Sequence, residues 1–129
     1  MNFSTKTEYG LRALACLDKK AETAISLAVI AEKEGLSLAY LERLFASLKK
    51  AGLVRSTRGK SGGYCLARPA GQINLLEVVE ALEGRLLPYD CVKGGVCKHQ
   101  LTCRVHPVWA KIYTHMAQTL RNIKLSKLM

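Results

Sequence analysis

The sequence predicts a mainly α protein with a small β-hairpin: a winged helix-turn-helix followed by a long C-terminal dimerisation helix. Three observations point there. Two helical stretches with good N-capping residues are separated by little more than one glycine. A strand, a basic glycine-rich turn and a second strand follow at once, and the chain closes on a long stretch with apolar residues three and four apart. With 129 residues, 49% hydrophobic and 23% charged, the chain can bury one core but not two independent ones.

Residues 5–19 read as a first helix, since Thr5 followed by Glu8 has capping-box form and Leu11, Ala13, Leu14, Ala15, Cys16 and Leu17 make it apolar nearly all round. Cys16 is read as a small core residue. Ser26 caps a second helix that carries Leu27, Ile30 and Ala31 and stops at Gly35. Ser37 opens a third, with Leu38, Leu41, Leu44, Phe45 and Leu48 on its inner side and Gly52 as its stop. Leu53 to Thr57 and Tyr64 to Ala67 form strands around the tip from Arg58 to Gly63, and Cys65 is read as buried filler. Asn74 with Glu77 opens a fourth helix that ends at Gly84. Pro107 then fits the first turn of the last one, whose stripe of Trp109, Ile112, Met116, Leu120 and Ile123 is expected to pair two copies about a two-fold axis. Residues 1–84 are therefore the DNA-binding winged helix-turn-helix, 85–105 a cysteine-rich cluster-binding loop, and 106–129 the dimerisation helix and tail.

Charge supports a polyanionic partner. Twenty Lys and Arg against ten Asp and Glu give +10, and Lys49, Lys50, Arg55, Arg58, Lys60 and Arg68 follow one another with no acidic residue between them. In a helix-turn-helix the second helix enters the major groove by its N-terminal end, here Ser37, Ala39, Tyr40, Glu42 and Arg43. Arg43 suits guanine and Glu42 a cytosine amino group, while Ser37 and Tyr40 suit phosphates. Arg58, Gly59 and Lys60 suit the narrow minor groove. The partner is then double-stranded DNA with a palindromic operator, bound by a homodimer.

Five cysteines are an odd number, and three crowd one loop. Cys91, Cys97 and Cys103 have five residues between neighbours, and His106 follows the last with two residues between. That even, wide spacing is a poor match to a zinc finger and suits an iron-sulfur cluster, with Gly94 and Gly95 giving the backbone freedom to wrap it. Three thiolates with a neutral imidazole leave little net charge on an oxidised 2Fe-2S core, which favours His106 as fourth ligand, with His99 as competitor; His115 is read as structural. No run of 18 apolar residues and no basic-then-apolar leader is present, so no membrane partner and a cytoplasmic, reducing location are expected. No catalytic constellation stands out, so the chain is not expected to be an enzyme. A small iron-sulfur carrier or electron-transfer protein, and a zinc-stabilised DNA-binding module, are the competing classes.

The chain resembles the Rrf/IscR family of winged-helix regulators in Tyr9-Gly10-Leu11-Arg12-Ala13-Leu14, Ser37-Leu38-Ala39-Tyr40-Leu41-Glu42, Leu48-Lys49-Lys50-Ala51-Gly52-Leu53-Val54, and Arg58-Gly59 with Gly62-Gly63-Tyr64. The loop of three cysteines with His106 is similar to that of its IscR-like members. The resemblance implies a 2Fe-2S cluster on Cys91, Cys97, Cys103 and His106, with a 4Fe-4S cluster as the alternative, and a cluster state that alters DNA binding. It also implies that Glu42 helps discriminate operator classes. Glu8 stands where nitric-oxide-sensing and redox-sensing relatives carry an acidic ligand donated across the dimer, and is the alternative fourth ligand.

Overall fold

A computed structural model describes residues 3–59, 62–86 and 102–129. Helix α1 spans Thr5–Leu14, and its N-cap is Ser4, whose hydroxyl accepts from the Lys6 N–H; the capping box expected of Thr5 and Glu8 is not formed. The helix also ends five residues earlier than expected. Its last turn tightens through Cys16 N–H to Ala13 O and Leu17 N–H to Leu14 O. Asp18 then accepts from the backbone N–H groups of Lys20, Glu22 and Thr23, a local alternative to helical hydrogen bonding. Cys16 is only half-buried: its Sγ lies 3.4 Å from both Arg12 O and Glu34 Oε1. Burial, and then the hydrogen bond to Glu34, push its thiol pKa up.

Helix α2 is Leu27–Glu34 and α3 is Leu38–Lys50, each opened by the serine read from the sequence. Ser26 Oγ accepts from Val29 N–H and Ser37 Oγ from Tyr40 N–H. Gly35, at φ 67, reverses the chain between them, a backbone region where a Cβ is costly. Leu41, Leu44, Phe45 and Leu48 bury the inner face of α3. Leu38 does not join them: it is 43% exposed, and Leu36 of the turn packs against the core at that end instead.

Strands β1, Val54–Thr57, and β2, Gly63–Leu66, pair antiparallel with Val54 opposite Leu66 and Thr57 opposite Gly63. The hairpin is pinned to the body because Ile25 and Tyr64 exchange both backbone hydrogen bonds, at 2.9 and 2.8 Å. Gly63 is required there, since a Cβ on it would fall 2.3 Å from Ile25 O.

Helix α4, Leu75–Glu83, carries the expected capping box between Asn74 and Glu77 and ends at Gly84, φ 86. It is apolar on two faces. Leu75, Val78 and Leu82 belong to the main core, while Leu76 and Val79 form a second cluster with Leu86, Tyr113 and Ala117. Helix α5, His106–Asn122, has Pro107 in its first turn as expected. Ile123 leaves the helix in extended conformation, its carbonyl accepting from Leu75 N–H, and Leu125 N–H donates to Ile73 O. Leu125 is fully buried, so the tail is part of the core of the winged domain; such burial contributes roughly 1.5–3 kcal/mol.

Candidate nucleic-acid interface and cysteine segment

The N-terminal end of α3 is open to solvent. Ser37, Ala39, Glu42 and Arg43 are exposed, and the outward arc of a 3.6-residue helix runs through Ala39, Arg43, Ala46 and Lys50. Ser37 Oγ is committed as acceptor to the helix cap, which leaves its O–H free to donate, as a phosphate contact needs. Tyr40 departs from expectation. Its hydroxyl is buried and unpartnered, so it does not present that group to a phosphate. Its ring instead meets Tyr9 edge-on, with centroids 6.1 Å apart, and carries the Arg43 guanidinium 5.6 Å from its centroid. That stacking restrains a long, exposed side chain and so lowers the entropy it would lose in any contact.

The basic run divides in two. Lys49 Nζ donates to Ser56 Oγ at 2.9 Å and so ties the end of α3 to β1. Arg55 Nε donates to Cys65 Sγ at 2.9 Å and its Nη2 to Ala21 O at 3.1 Å, which fastens the hairpin to the segment after α1. Arg68 donates to Gln72 O and is ion-paired with Glu77. Lys50 and Arg58 are exposed and make no internal hydrogen bond among the described residues. Half of a run that looked uniformly suited to phosphate is therefore internal bracing, a division that charge alone does not reveal. Gly59, at φ 103, lies at the tip beside Arg58; Lys60 lies outside the described residues. Cys65 is buried as expected, and it also serves as the acceptor for Arg55.

Of the cysteine segment, Cys91 and Cys97 lie outside the described residues. Cys103 is a half-buried free thiol and His106 is the first residue of α5. Among the described residues His106 Nδ1 is buried with no hydrogen-bond partner, an orphaned nitrogen of the kind a ligated histidine offers. Among the described residues no group of three His, Cys, Asp or Glu side chains converges. Glu8 is exposed on α1, 3.8 Å from Arg12, which also pairs with Glu34 at 2.8 Å.

On α5, Tyr113 and Ala117 are buried against α4, and Met116 and Leu120 are partly buried beside them. Leu120 and Ile123 also pack on the main core, so three residues of the stripe expected to pair two copies, Met116, Leu120 and Ile123, pack within their own chain. The reason is the sharp exit at Ile123, which folds the tail back onto α4. Trp109 is half-buried, Ile112 is 44% exposed, and Val105 and Val108, not singled out from the sequence, are exposed in line with it. Their spacing of three and four was the available signal.

A family model described as Rrf2, iron-dependent transcriptional regulator, matches residues 3–129. The chain belongs to the Rrf2 family. An HTH-type transcriptional regulator of Neisseria meningitidis is 36% identical over 129 residues, covering 99% of this chain and 87% of that protein. The HTH-type transcriptional regulator IscR of Cronobacter sakazakii is likewise 36% identical, with 99% and 80% covered. Among solved structures, CymR, the global cysteine regulator of B. subtilis, superposes with TM-score 0.79 at 33% identity, covering 99% of this chain and 95% of that one. IscR of T. potens gives 0.72 at 37%, with 98% and 84% covered. The chain is thus a transcriptional regulator of Rrf2 type with a winged-helix fold, and no described helix is long and apolar enough to cross a membrane.

Proposed function

We propose that this Rrf2 regulator binds a palindromic operator as a homodimer, and that an iron-sulfur cluster on Cys91, Cys97, Cys103 and His106 controls that binding. The observation that supports the cluster is the His106 ring, whose buried Nδ1 lacks a partner at the point where the three-cysteine segment enters α5. Three thiolates and one imidazole are a donor set suited to a 2Fe-2S core, which supplies a one-electron or lability signal; 4Fe-4S is the alternative core and Glu8 of a partner subunit the alternative ligand. Dimerisation is assigned to the outward face of α5, where Val105, Val108 and Ile112 stay exposed while Tyr113 faces the chain's own α4. Base reading is assigned to Ala39, Glu42 and Arg43, and backbone or minor-groove contact to Ser37, Arg58, Gly59 and Lys60.

The test is anaerobic purification with iron, sulfide and zinc analysis, followed by operator titration of holo and apo forms. Iron and sulfide in equal amounts, a visible chromophore lost in Cys91→Ser, Cys97→Ser and Cys103→Ser, and a holo affinity unlike the apo affinity are expected. His106→Ala and Glu8→Ala separate the two ligand candidates by which one changes the reduced-state EPR spectrum. Zinc without iron, or equal holo and apo affinities, overturns the sensing reading and leaves the DNA-binding one standing. The latter is tested by Arg58→Ala, expected to weaken all duplexes alike and to lower the salt dependence by about one charge, and by Glu42→Ala, expected to change sequence preference.

A further inference from the structure

We propose that Leu38 is a specificity-determining residue that reads thymine methyl groups in the major groove. The inference rests on the DNA-binding reading and deepens it. Leu38 is the first residue of α3, at the end of the helix that enters the groove, and it is 43% exposed although its spacing from Leu41 and Phe45 would bury it. Its place in the apolar seal is taken by Leu36, so the core does not require a leucine at 38.

Among the described residues, Val29 and Leu38 are the large hydrophobics left exposed on the two helices of the helix-turn-helix. A single exposed leucine on a surface has no special meaning. Here the position selects the chemistry. Leu38 and the exposed Ala39 neither donate nor accept a hydrogen bond, so what they can recognise in a base edge is the thymine C5-methyl group. Helical geometry also puts Leu38 and Glu42, four residues apart, on the same flank of α3. The carboxylate accepts from a cytosine amino group, and that amino group and the thymine methyl occupy neighbouring positions on the pyrimidine edge. A leucine next to a glutamate on one flank is therefore matched to a thymine beside a cytosine on one strand.

The experiment first selects a bound duplex from a random pool with the unmodified protein, then replaces each thymine in turn by uracil, which removes only the methyl. Within two base pairs of the position whose preference changes in Glu42→Ala, one uracil in each half-site is expected to weaken binding about fourfold, the effect of one buried methyl group. Leu38→Ala is expected to abolish that sensitivity and to leave the response to Arg58→Ala unchanged. If Leu38→Ala keeps the full uracil penalty, or if no uracil weakens binding, the proposal fails while DNA binding stands. If no duplex is selected at all, both fail together.

Discussion

Glu83 closes the last turn of α4, one residue before Gly84, and a single one of its oxygens accepts from Ser4 N–H at 2.9 Å, from Ser4 Oγ and from Thr7 Oγ1 at 2.7 Å. The carboxylate thus ties the start of α1 to the end of α4. Thr7 is 6% exposed and is the buried polar residue among those described, so Glu83→Ala leaves a buried hydroxyl without its acceptor. Such a loss costs about 1–3 kcal/mol, and the two bonds at Ser4, more open to water, add about 1 kcal/mol together. Glu83→Ala should therefore lose about 2–4 kcal/mol, a shift of about 1–2 M in urea midpoint with unchanged slope. Glu83→Gln keeps a neutral acceptor of roughly half the strength and should lose about 1 kcal/mol. The hydrogen bonds from Ser4 and then Thr7 hold the Glu83 pKa below its ordinary 4.5. Since the folded value is the lower one, the stabilisation is complete above the unfolded pKa and fades as pH falls through the folded one. Parent and Glu83→Gln should differ at pH 7 and converge in the acid range below about 4.5. Asp18, whose pKa is also lowered by backbone hydrogen bonds from Lys20 and Thr23, is common to both proteins and cancels in the difference. Urea titrations at one protein concentration measure it. Equal midpoints at pH 7, or a difference that persists undiminished at pH 3, would refute the argument.

Gly10→Ala places a methyl 2.4 Å from Leu82 Cδ1 in the α1–α4 contact; overpacking of about 1–3 kcal/mol, less up to about 1 from helix propensity, should leave a net loss that Leu82→Ala partly offsets. A double-mutant cycle in urea showing strict additivity would contradict the contact. Val108→Asp with Ile112→Asp should give a folded monomer in sedimentation, whereas a dimer that survives both charges removes the outward face of α5 as the interface.

What the sequence made legible was governed by local chemistry. Ser26, Ser37, Asn74 and Pro107 mark helix starts through hydrogen bonds or ring geometry that act within four residues, and each stands where it was read. The hairpin followed from its glycines and alternating strands for the same reason. Errors arose where a distant residue decides. Thr5 lost the cap to Ser4 because Glu83, 79 residues away, binds Ser4 from outside the helix. Leu38 is exposed while Leu36 packs against the core, and Arg55, though exposed, commits its guanidinium to Cys65 Sγ and Ala21 O, contacts that no spacing encodes. Tyr40 was read as a phosphate contact, but its hydroxyl is buried and its ring lies against Tyr9 and Arg43. The family resemblance was legible in full because its motifs are contiguous. Three of the cluster candidates, Cys91, Cys97 and His99, and the wing residue Lys60 fall outside the described residues.

The two faces of α4 decide how a signal in the cysteine segment would reach DNA on the proposed reading. Leu86, at the entry to that segment, and Tyr113 and Ala117, beyond its exit, share a cluster with Leu76 and Val79 of α4. Helix α3 is held by the main core, through Leu41, Leu44, Phe45 and Leu48, and the two clusters meet at Leu120. The smaller cluster holds five buried residues against twenty in the main core, so on this reading it is the softer of the two seams. If α5 carries the dimer interface, a change of its seat on α4 alters the separation of the two recognition helices without altering either one. A tenfold change in operator affinity needs only about 1.4 kcal/mol of bias between two such seats, less than the burial energy of one side chain in that seam. A mutation that weakens the seam, such as Ala117→Gly, should therefore shift holo and apo operator affinities toward each other while the main core still melts as a unit.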